Sequence, residues 1–427
     1  MLDLTLCDFP FIDNKFNKTK RSDFISLVDK YKKSLEVYSR VVIDLSDVIH
    51  FSAAFIALSE LKKEIIILPN TQTETLKAFE PTYDYVLSSE VEAQKAQDRL
   101  IKLDLETKVT MFTSGSQGSS KKIEKKLSHL VYECDELEKT FKELSCEDLI
   151  ASTVGHQHIY GVLFRILWPL IYKRTITSFN ILYPEDLNRL LKKSYMESKK
   201  VVLISSPAFI KRISTNDLEN VGSLKFLFSS GGKLKNSDFS SFFTNFKTDI
   251  IEVFGSTETG GIAYRSQKNG NEIWTKFDCV KLELDERECL RVRSRYIAEE
   301  FFQTNDQVSM KDSGFKLLGR VDRIIKLEEK RISLEQLEKT LCEHPMINDA
   351  HCTLLKGETR SIIGCILAED KKWKSVSKIE KVKTLKSFLL GYFEAILLPK
   401  KFRFLEQLPY NEQSKLVKKE ILEYFDE

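Results

Sequence analysis

Short apolar runs alternate with amphipathic stretches through most of this 427-residue chain, and that alternation limits the folds open to it. Five runs have the length and composition of strands: 109–113, 149–154, 201–205, 226–228 and 250–254. Helical patterns lie between them, as in the stretch that Ser128 opens. The alternation predicts an α/β fold in which helices cover mostly parallel sheets.

The pattern changes after about residue 270. Segments 272–275, 280–284 and 290–294 favour an antiparallel β segment, and a smaller α+β unit begins near Asp322. We therefore predict a large N-terminal domain over residues 1–320 and a small C-terminal domain over residues 322–427. Because no Pro- or Gly-rich linker separates them, we expect a short hinge.

Composition excludes several classes of protein. Hydrophobic residues make up 42% and charged residues 30%, which is typical of globular chains. A net charge of +3 predicts no nucleic-acid partner. The longest apolar stretch, 159–172, is interrupted by Arg165 and is shorter than the ~18 residues of a membrane span. Eight scattered cysteines without a CxxC pair, and no signal-peptide pattern, predict a cytoplasmic protein with reduced thiols.

The most informative segment is the run TSGSQGSSK at residues 113–121, directly after a predicted strand. Its glycines allow a sharp turn that brings backbone N–H groups around an anion, and its hydroxyls and Lys121 add donors and a cation. It is not a Walker A loop, because Lys122 stands where Ser or Thr would follow the lysine. The segment indicates phosphate binding, with a polar surface loop as the alternative.

The segment 113–121 resembles the phosphate loop of the adenylate-forming superfamily, which includes acyl-CoA synthetases, adenylation domains and luciferases. Further family motifs follow in order, and the resemblance covers residues 105–418. These further matches lie at 158–161, 230–232, 254–258, 304–306, 319–322 and 409–415.

The resemblance implies a reaction with two steps. A carboxylic acid and MgATP give an acyl-adenylate and pyrophosphate, and a thiol then takes the acyl group and releases AMP. The implied cofactors are ATP and Mg²⁺, and the thiol belongs to coenzyme A or to the phosphopantetheine of a carrier protein. The family rotates its small, mobile domain between the steps, which places the hinge here at Asp322.

The resemblance also assigns roles to single residues. Glu258 would bind Mg²⁺, Thr257 would contact the α-phosphate, and Lys415 would bridge the carboxylate and α-phosphate oxygens. Asp306 would accept from the ribose hydroxyls, with Arg320 nearby, and His158 would lie at the acyl pocket. The β- and γ-phosphates would be held by Thr113, Ser114, Gly115, Ser116, Gly118 and Lys121. The adenine would lie against Phe254 and the neighbouring backbone of Gly231, Gly232 and Gly255.

Each of these side chains also has a simpler interpretation. Glu258 is compatible with a solvated carboxylate and Asp306 with a turn residue. Lys415 fits a basic helix face, and His158 fits a core histidine packed beside Tyr160. The ordered set of motifs favours the catalytic interpretation of the first three.

The chain departs from the family pattern at three places. The phosphate loop begins early, at residue 113, so we expect a reduced N-terminal part. Glu329 stands where the family has the glycine that lines the pantetheine tunnel, which puts free coenzyme A in doubt as the acceptor. Ser414 replaces the glycine before Lys415.

A finer resemblance links the chain to compact ligases of bacterial aryl polyene or fatty-acid-like gene clusters, which load an acyl or aryl acid onto an acyl carrier protein. Residues 371–386 hold seven lysines and one glutamate; this composition would suit an acidic carrier protein, although charge runs of this kind more commonly form a solvated helix face. Few charges occur near the expected acid pocket, which favours an apolar or aromatic acid. Two alternatives remain: a ligase that uses free coenzyme A, and a catalytically weak nucleotide-binding relative.

Overall fold

The structure, a computed structural model, describes most of the chain. The residues outside the description are 69, 94–97, 115–119, 215–216, 220, 233, 235, 267–271, 298–299, 328–329, 356–360, 411–415, 417 and 427.

Strands and helices alternate in the first half of the chain, and strands dominate after residue 250. The strands are β1 (Leu2–Leu4), β2 (Phe11–Ile12), β3 (Lys18–Thr19), β4 (Arg40–Ile43), β5 (Glu64–Ile67), β6 (Tyr85–Leu87), β7 (Ile101–Leu103), β8 (Lys108–Ser114), β9 (Ser120–Lys126), β10 (Leu149–Ser152), β11 (Thr175–Asn180), β12 (Val201–Ser205), β13 (Leu224–Ser229), β14 (Ile250–Ser256), β15 (Gly260–Ser266), β16 (Ile273–Lys276), β17 (Lys281–Leu284), β18 (Cys289–Arg293), β19 (Phe302–Lys311), β20 (Gly314–Arg320), β21 (Ile324–Leu327), β22 (Lys330–Ser333), β23 (Ile347–Leu355), β24 (Ile362–Glu369) and β25 (Lys401–Leu405). The α-helices are α1 (Arg21–Leu35), α2 (Val48–Glu60), α3 (Thr73–Phe79), α4 (Leu127–Thr140), α5 (Ile159–Gly161), α6 (Trp168–Ile171), α7 (Pro184–Met196), α8 (Pro207–Ile210), α9 (Asn236–Phe246), α10 (Leu334–Glu343), α11 (Lys378–Leu389) and α12 (Lys418–Glu423). A π-helix, Val162–Leu167, connects α5 to α6.

The chain divides into two compact units. Unit 1 consists of Met1–Glu283, Val292–Phe302 and Asp312–Gly314. Unit 2 consists of Leu284–Arg291, Gln303–Lys311 and Phe315–Glu427. The domain boundary and the hinge at Asp322 stay predictions.

Unit 1 contains a large mixed sheet with the strand order β16–β15–β14–β13–β12–β10–β11–β2–β3. Its centre is parallel: β13 pairs in parallel with β12 and β14, and β10 pairs in parallel with β11 and β12. Every residue of β12 is buried, as expected for a parallel strand covered on both faces. Apolar faces of α7 and α9 contribute to the core on this sheet.

A second sheet of unit 1 has five strands in the order β6–β4–β5–β8–β9. Parallel pairing joins β4, β5, β6 and β8, and β9 returns antiparallel to β8. The antiparallel pair β8–β9 flanks the predicted phosphate loop. Helix α4 follows β9 directly and begins at Leu127, one residue before the predicted start.

Unit 2 contains the hairpin β21–β22 and a three-stranded sheet in the order β23–β24–β25. Helix α10 begins after Ser333, whose hydroxyl accepts from the Gln336 N–H at 3.2 Å, which matches the predicted cap. Leu337, Leu341 and Leu385 lie in one apolar core with the buried face of β24. This arrangement is the α+β organisation that the sequence predicts for the C-terminal region.

The predicted fold class is confirmed, with a mixed α/β architecture and large sheets covered by helices. Within the described parts of the chain, no helix is both long enough and apolar enough to cross a membrane. All eight cysteines are described, and each is a free thiol.

Candidate active site

The predicted motifs of unit 1 follow the strands of the parallel sheet at one edge. His158 comes after β10, Gly231 after β13, and Phe254 lies near the end of β14. The register places Ser229, the last residue of β13, opposite Glu252, and β14 continues past the end of β13 to Ser256. Ligands of open α/β sheets bind at this carboxyl edge, which makes it the candidate site.

Glu258 lies at the tip of the β14–β15 hairpin. The Ser256 N–H donates to the Thr259 hydroxyl at 3.1 Å, and the Thr259 N–H donates to the Ser256 hydroxyl at 3.2 Å. A Cβ on Gly255 would lie 2.1 Å from the Gly260 carbonyl oxygen, and Gly260 itself has a φ of +66°. The chain therefore requires glycine at both positions to turn this tightly.

Lys121 faces Glu258 across the two sheets of unit 1. Its Nζ lies 3.8 Å from Glu258 Oε1, and 5.3 Å from the centre of the Phe302 ring. Lys121 is 56% exposed and Glu258 is 20% exposed, so both groups remain accessible to a ligand. A cation and a carboxylate are thus held next to the end of the predicted phosphate loop.

Two buried charged side chains form hydrogen bonds with the backbone of the β14–β15 hairpin. Lys125, on β9, donates from Nζ to the carbonyl oxygens of Glu258 at 3.0 Å and Tyr296 at 2.8 Å. Glu133, on α4, accepts from the Gly261 N–H at 2.7 Å. Burial lowers the pKa of Lys125 and raises the pKa of Glu133 to about 7, and each charge favours ionisation of the other.

The residues predicted for the adenine lie together at the ends of β13 and β14. Gly231 and Gly232 are exposed, and Gly231 has a φ of +87°. The Ser230 hydroxyl donates to the Val253 carbonyl at 2.9 Å and ties this turn to β14. The Phe254 ring packs 5.4 Å from the Trp274 ring. Thr257 is half-buried beside Glu258.

His158 caps the start of α5, because its Nδ1 accepts from the Gly161 N–H at 3.3 Å. Its half-buried ring is parallel to that of Tyr160, with centroids 6.5 Å apart. The fully buried histidine of this segment is His156, whose Nε2 lies 2.9 Å from the Leu45 carbonyl. The acyl-pocket role of His158 stays a prediction.

Unit 2 holds Asp306, Arg320 and Asp322 in one charged cluster. Arg320 binds Asp322 through two hydrogen bonds, of 3.0 and 2.8 Å, and its Nη1 lies 3.4 Å from Asp306 Oδ1. Burial raises the pKa of Asp306, although the guanidinium of Arg320 opposes this effect. The sequence reasoning placed Arg320 near Asp306 but missed its bidentate partner.

Several predicted site residues lie outside the described residues: Gly115, Ser116, Gly118 and Lys415, together with Glu329 and Ser414. Thr113 and Ser114 are described only as the backbone end of β8. Their assigned roles stay predictions.

The carboxylate of Glu258 suits Mg²⁺ as a single protein ligand. The described residues hold no cluster of three or more His, Cys, Asp or Glu side chains arranged for a metal. Mg²⁺ commonly takes one or two protein carboxylates and completes its shell with phosphate oxygens and water. A single accessible carboxylate near a phosphate loop suits an ion that arrives with the nucleotide.

Sequence reasoning missed Lys125 and Glu133. The run 120–126 is rich in lysine and was not predicted as a strand, yet it pairs with β8 over its full length. Its alternation places Ile123 and Lys125 on one face, and Ile123 is buried. That period of two was the available signal for an inward-facing lysine.

The fold and this geometry define an α/β protein with a cation–carboxylate pair at the carboxyl edge of its sheet. The family model described as AMP-binding enzyme matches residues 39–284, more than half of the chain. The chain therefore belongs to the AMP-binding enzyme family.

Two relatives illustrate the range of the family. VraA of Staphylococcus aureus (strain COL), which carries the name of a long chain fatty acid-CoA ligase, is 24% identical over 283 residues, covering 62% of this chain and 60% of VraA. The D-alanine–D-alanyl carrier protein ligase of S. aureus (strain MRSA252) is 24% identical over 360 residues, covering 75% of this chain and 72% of that protein. This chain thus matches less than two thirds of the length of VraA.

Solved structures share the fold over almost the whole chain. ATP-bound MatB from Rhodopseudomonas palustris has a TM-score of 0.75 at 13% identity, covering 98% of this chain and 95% of MatB. The amide bond synthetase McbA from Marinactinospora thermotolerans has a TM-score of 0.78 at 11% identity, covering 98% and 97%. At these identities the likeness establishes the fold.

Proposed function

We propose that this protein is an ATP-dependent carboxylic acid ligase of the AMP-forming type. A carboxylate oxygen of the acid attacks the α-phosphorus of ATP, the bond to the pyrophosphate oxygen breaks, and an acyl-adenylate forms. A thiolate then attacks the acyl carbon, a C–S bond forms, and AMP leaves with the electrons of the broken C–O bond.

The observation that carries this proposal is the approach of Lys121 to Glu258 at 3.8 Å, in a chain of the AMP-binding enzyme family. The first step brings two anions together, so the site needs positive charge near the phosphates. Lys121 supplies such a charge, and Glu258 supplies the oxygen ligand for the Mg²⁺ that accompanies ATP. When bound, Mg²⁺ neutralises phosphate charge and draws electron density from the reacting phosphorus.

The remaining assignments extend this proposal. Thr257, next to Glu258, contacts the α-phosphate, and His158 lies at the acyl pocket. Asp306 of unit 2 accepts from the ribose hydroxyls, and Arg320 holds it in place. Lys415 bridges the reacting oxygens.

The direct test is acid-dependent exchange of labelled pyrophosphate into ATP, over a panel of aromatic and fatty acids. We expect exchange with an apolar or aromatic acid. Binding of ATP without exchange by any acid of the panel would favour the alternative, a catalytically weak nucleotide-binding relative. A Glu258→Gln variant should lose exchange, and Glu106→Gln is its matched control, because Glu106 is exposed and pairs with Lys126 away from the site.

We further propose an acyl carrier protein as the thiol acceptor. Lys371, Lys372, Lys378 and Lys383 are exposed on one segment of unit 2, which we call the lysine surface. Lys381 does not belong to it, because Lys381 is buried and paired with Glu369. Lysines outnumber carboxylates seven to one over residues 371–386, and an excess of exposed cations favours encounter with an acidic protein.

The acceptor is tested by offering carrier protein and free coenzyme A side by side. Changing the four residues of the lysine surface to glutamate should slow transfer to carrier protein at low salt and leave pyrophosphate exchange unchanged. An unaltered transfer rate would rule out this surface. Efficient transfer to coenzyme A alone would favour the other alternative, an acyl-CoA ligase.

A further inference from the structure

Lys125 of β9 is a buried lysine, and the neighbouring positions of that strand carry apolar or exposed polar residues. Lys125 is 4% exposed, whereas lysine is among the residue types that are least often buried. Burying an ammonium group is costly unless it is paired and hydrogen-bonded. Here its partners are the backbone carbonyls of Glu258 and Tyr296 and the nearby charges of Glu133 and Glu258.

Lys121 and Lys125 lie on the same face of β9, because side chains alternate along a strand. Lys121 approaches the carboxylate of Glu258, and Lys125 binds the peptide carbonyl of the same residue. One strand therefore contacts both the side chain and the backbone of the residue proposed to bind Mg²⁺. That strand is also the one that leaves the phosphate loop.

The next helix adds a second anchor to the same hairpin. Glu133 Oε1 accepts from the Gly261 N–H, and a Cβ on Gly260 would lie 2.5 Å from Glu133 Oε2. The hairpin thus contacts a lysine of β9 and a glutamate of α4, the two elements that follow the phosphate loop in sequence. A displacement of β9 or α4 would be passed to the Glu258 turn through these buried contacts.

We propose that Lys125 is a positioning residue that fixes the Glu258 turn at the distance from Lys121 that MgATP requires. The inference rests on the proposed function for its ligand, and Lys125 lies outside every family motif of the sequence. Lys125 does not contact the nucleotide in this proposal; it acts through the Glu258 backbone.

The test compares Lys125→Met with the parent protein and with Lys126→Met. Methionine keeps the length of the side chain and removes the ammonium group. Lys126 is the adjacent lysine on the opposite face, 54% exposed and paired with Glu106, so its variant controls for the loss of a charge. Two readouts are used: binding of a fluorescent ATP analogue at several Mg²⁺ concentrations, and the KM values for MgATP and for the acid in pyrophosphate exchange.

We expect Lys125→Met to raise the Mg²⁺ concentration for half-maximal binding, and the KM for MgATP, by about 10- to 100-fold, the usual effect of losing a residue that orients a metal ligand. The KM for the acid should change by less than about 3-fold, since the turn and not the acyl pocket is displaced. Lys126→Met should behave as the parent. A purely structural role would lower the unfolding temperature without this selective effect.

A second variant covers the case in which Lys125→Met does not fold. Lys125→Met/Glu133→Gln removes both buried charges together, so neither is left unpaired. A folded single or double variant with the Mg²⁺ dependence of the parent would overturn the inference. If the parent shows Mg²⁺-dependent ATP binding but no exchange, the proposed function fails while the binding readout still decides the role of Lys125; a parent that binds no ATP would overturn both.

Discussion

The ammonium group of Lys121 lies 3.8 Å from the carboxylate of Glu258, although the two residues come from different sheets. Lys121 lies on an antiparallel edge strand, and Glu258 lies at a hairpin tip of the large sheet. Their approach unites a phosphate-loop lysine with an oxygen ligand for Mg²⁺.

Replacing Glu258 with glutamine should remove the metal ligand while keeping the shape of the side chain. We expect pyrophosphate exchange to fall by about 100-fold or more, the size of effect seen when one preorganised electrostatic contact is lost. Exchange rates measured over a range of Mg²⁺ concentrations test this prediction. Parent-like exchange at low Mg²⁺ would show that Glu258 is not the ligand.

Replacing Gly255 with alanine should damage the same turn through sterics alone. The new Cβ would meet the Gly260 carbonyl oxygen at 2.1 Å, so the hairpin must shift, at a cost of about 1–3 kcal/mol. Gly222→Ala is the matched control, because nothing lies within 4 Å of a Cβ there. Denaturant unfolding should separate the two variants, and equal stabilities would contradict the geometry.

Lys415→Ala should abolish adenylate formation and leave the unfolding temperature unchanged. The proposed role of Lys415 is to bridge anionic oxygens in the transition state, so its loss should cost about 10³-fold in exchange. Lys401→Ala serves as a comparison elsewhere in unit 2, where the ammonium binds the Phe425 carbonyl at 3.0 Å. Full exchange activity in Lys415→Ala would refute the assignment.

Asp322→Pro should leave the adenylation step and stop thiol transfer, because proline restricts the backbone rotation that a hinge requires. The substitution also removes the bidentate partner of Arg320. Asp322→Ala removes that ion pair without fixing the backbone, and it should retain transfer. Pyrophosphate exchange and thioester formation are measured separately, and survival of both in the proline variant would exclude Asp322 as the hinge.

Glu133 should make stability depend on pH. Burial raises its pKa to about 7, from an ordinary value of 4.5 in the unfolded chain. Between these values the folded protein holds a proton that the unfolded chain has released, so stability falls as the pH rises from about 4.5 to 7, by about 3 kcal/mol from this group. Glu133→Gln should gain stability relative to the parent over that window. The difference in unfolding free energy between the two proteins at pH 5 and pH 7.5 tests the sign, and a constant difference would contradict it.

The sequence determined the local elements and the identity of the motifs. The strand over residues 201–205 was predicted with its observed bounds, because burial on both faces produces an unbroken apolar run. The segments 113–121 and 254–258 can each be identified from the sequence alone, since each needs particular residue types at adjacent positions.

Only the tertiary structure decided which of these segments meet. The strand Ser120–Lys126 is nearly all charged and polar, so its composition did not indicate a strand; pairing with β8 makes it one. The burial of Lys125 and Glu133 depends on a hairpin that comes much later in the chain. Local periodicity predicts which face of its strand or helix a residue lies on. The approach of two sheets depends on residues far apart in the chain. The contacts of Lys125 and Glu133 with the Glu258 hairpin are therefore seen only in the folded molecule.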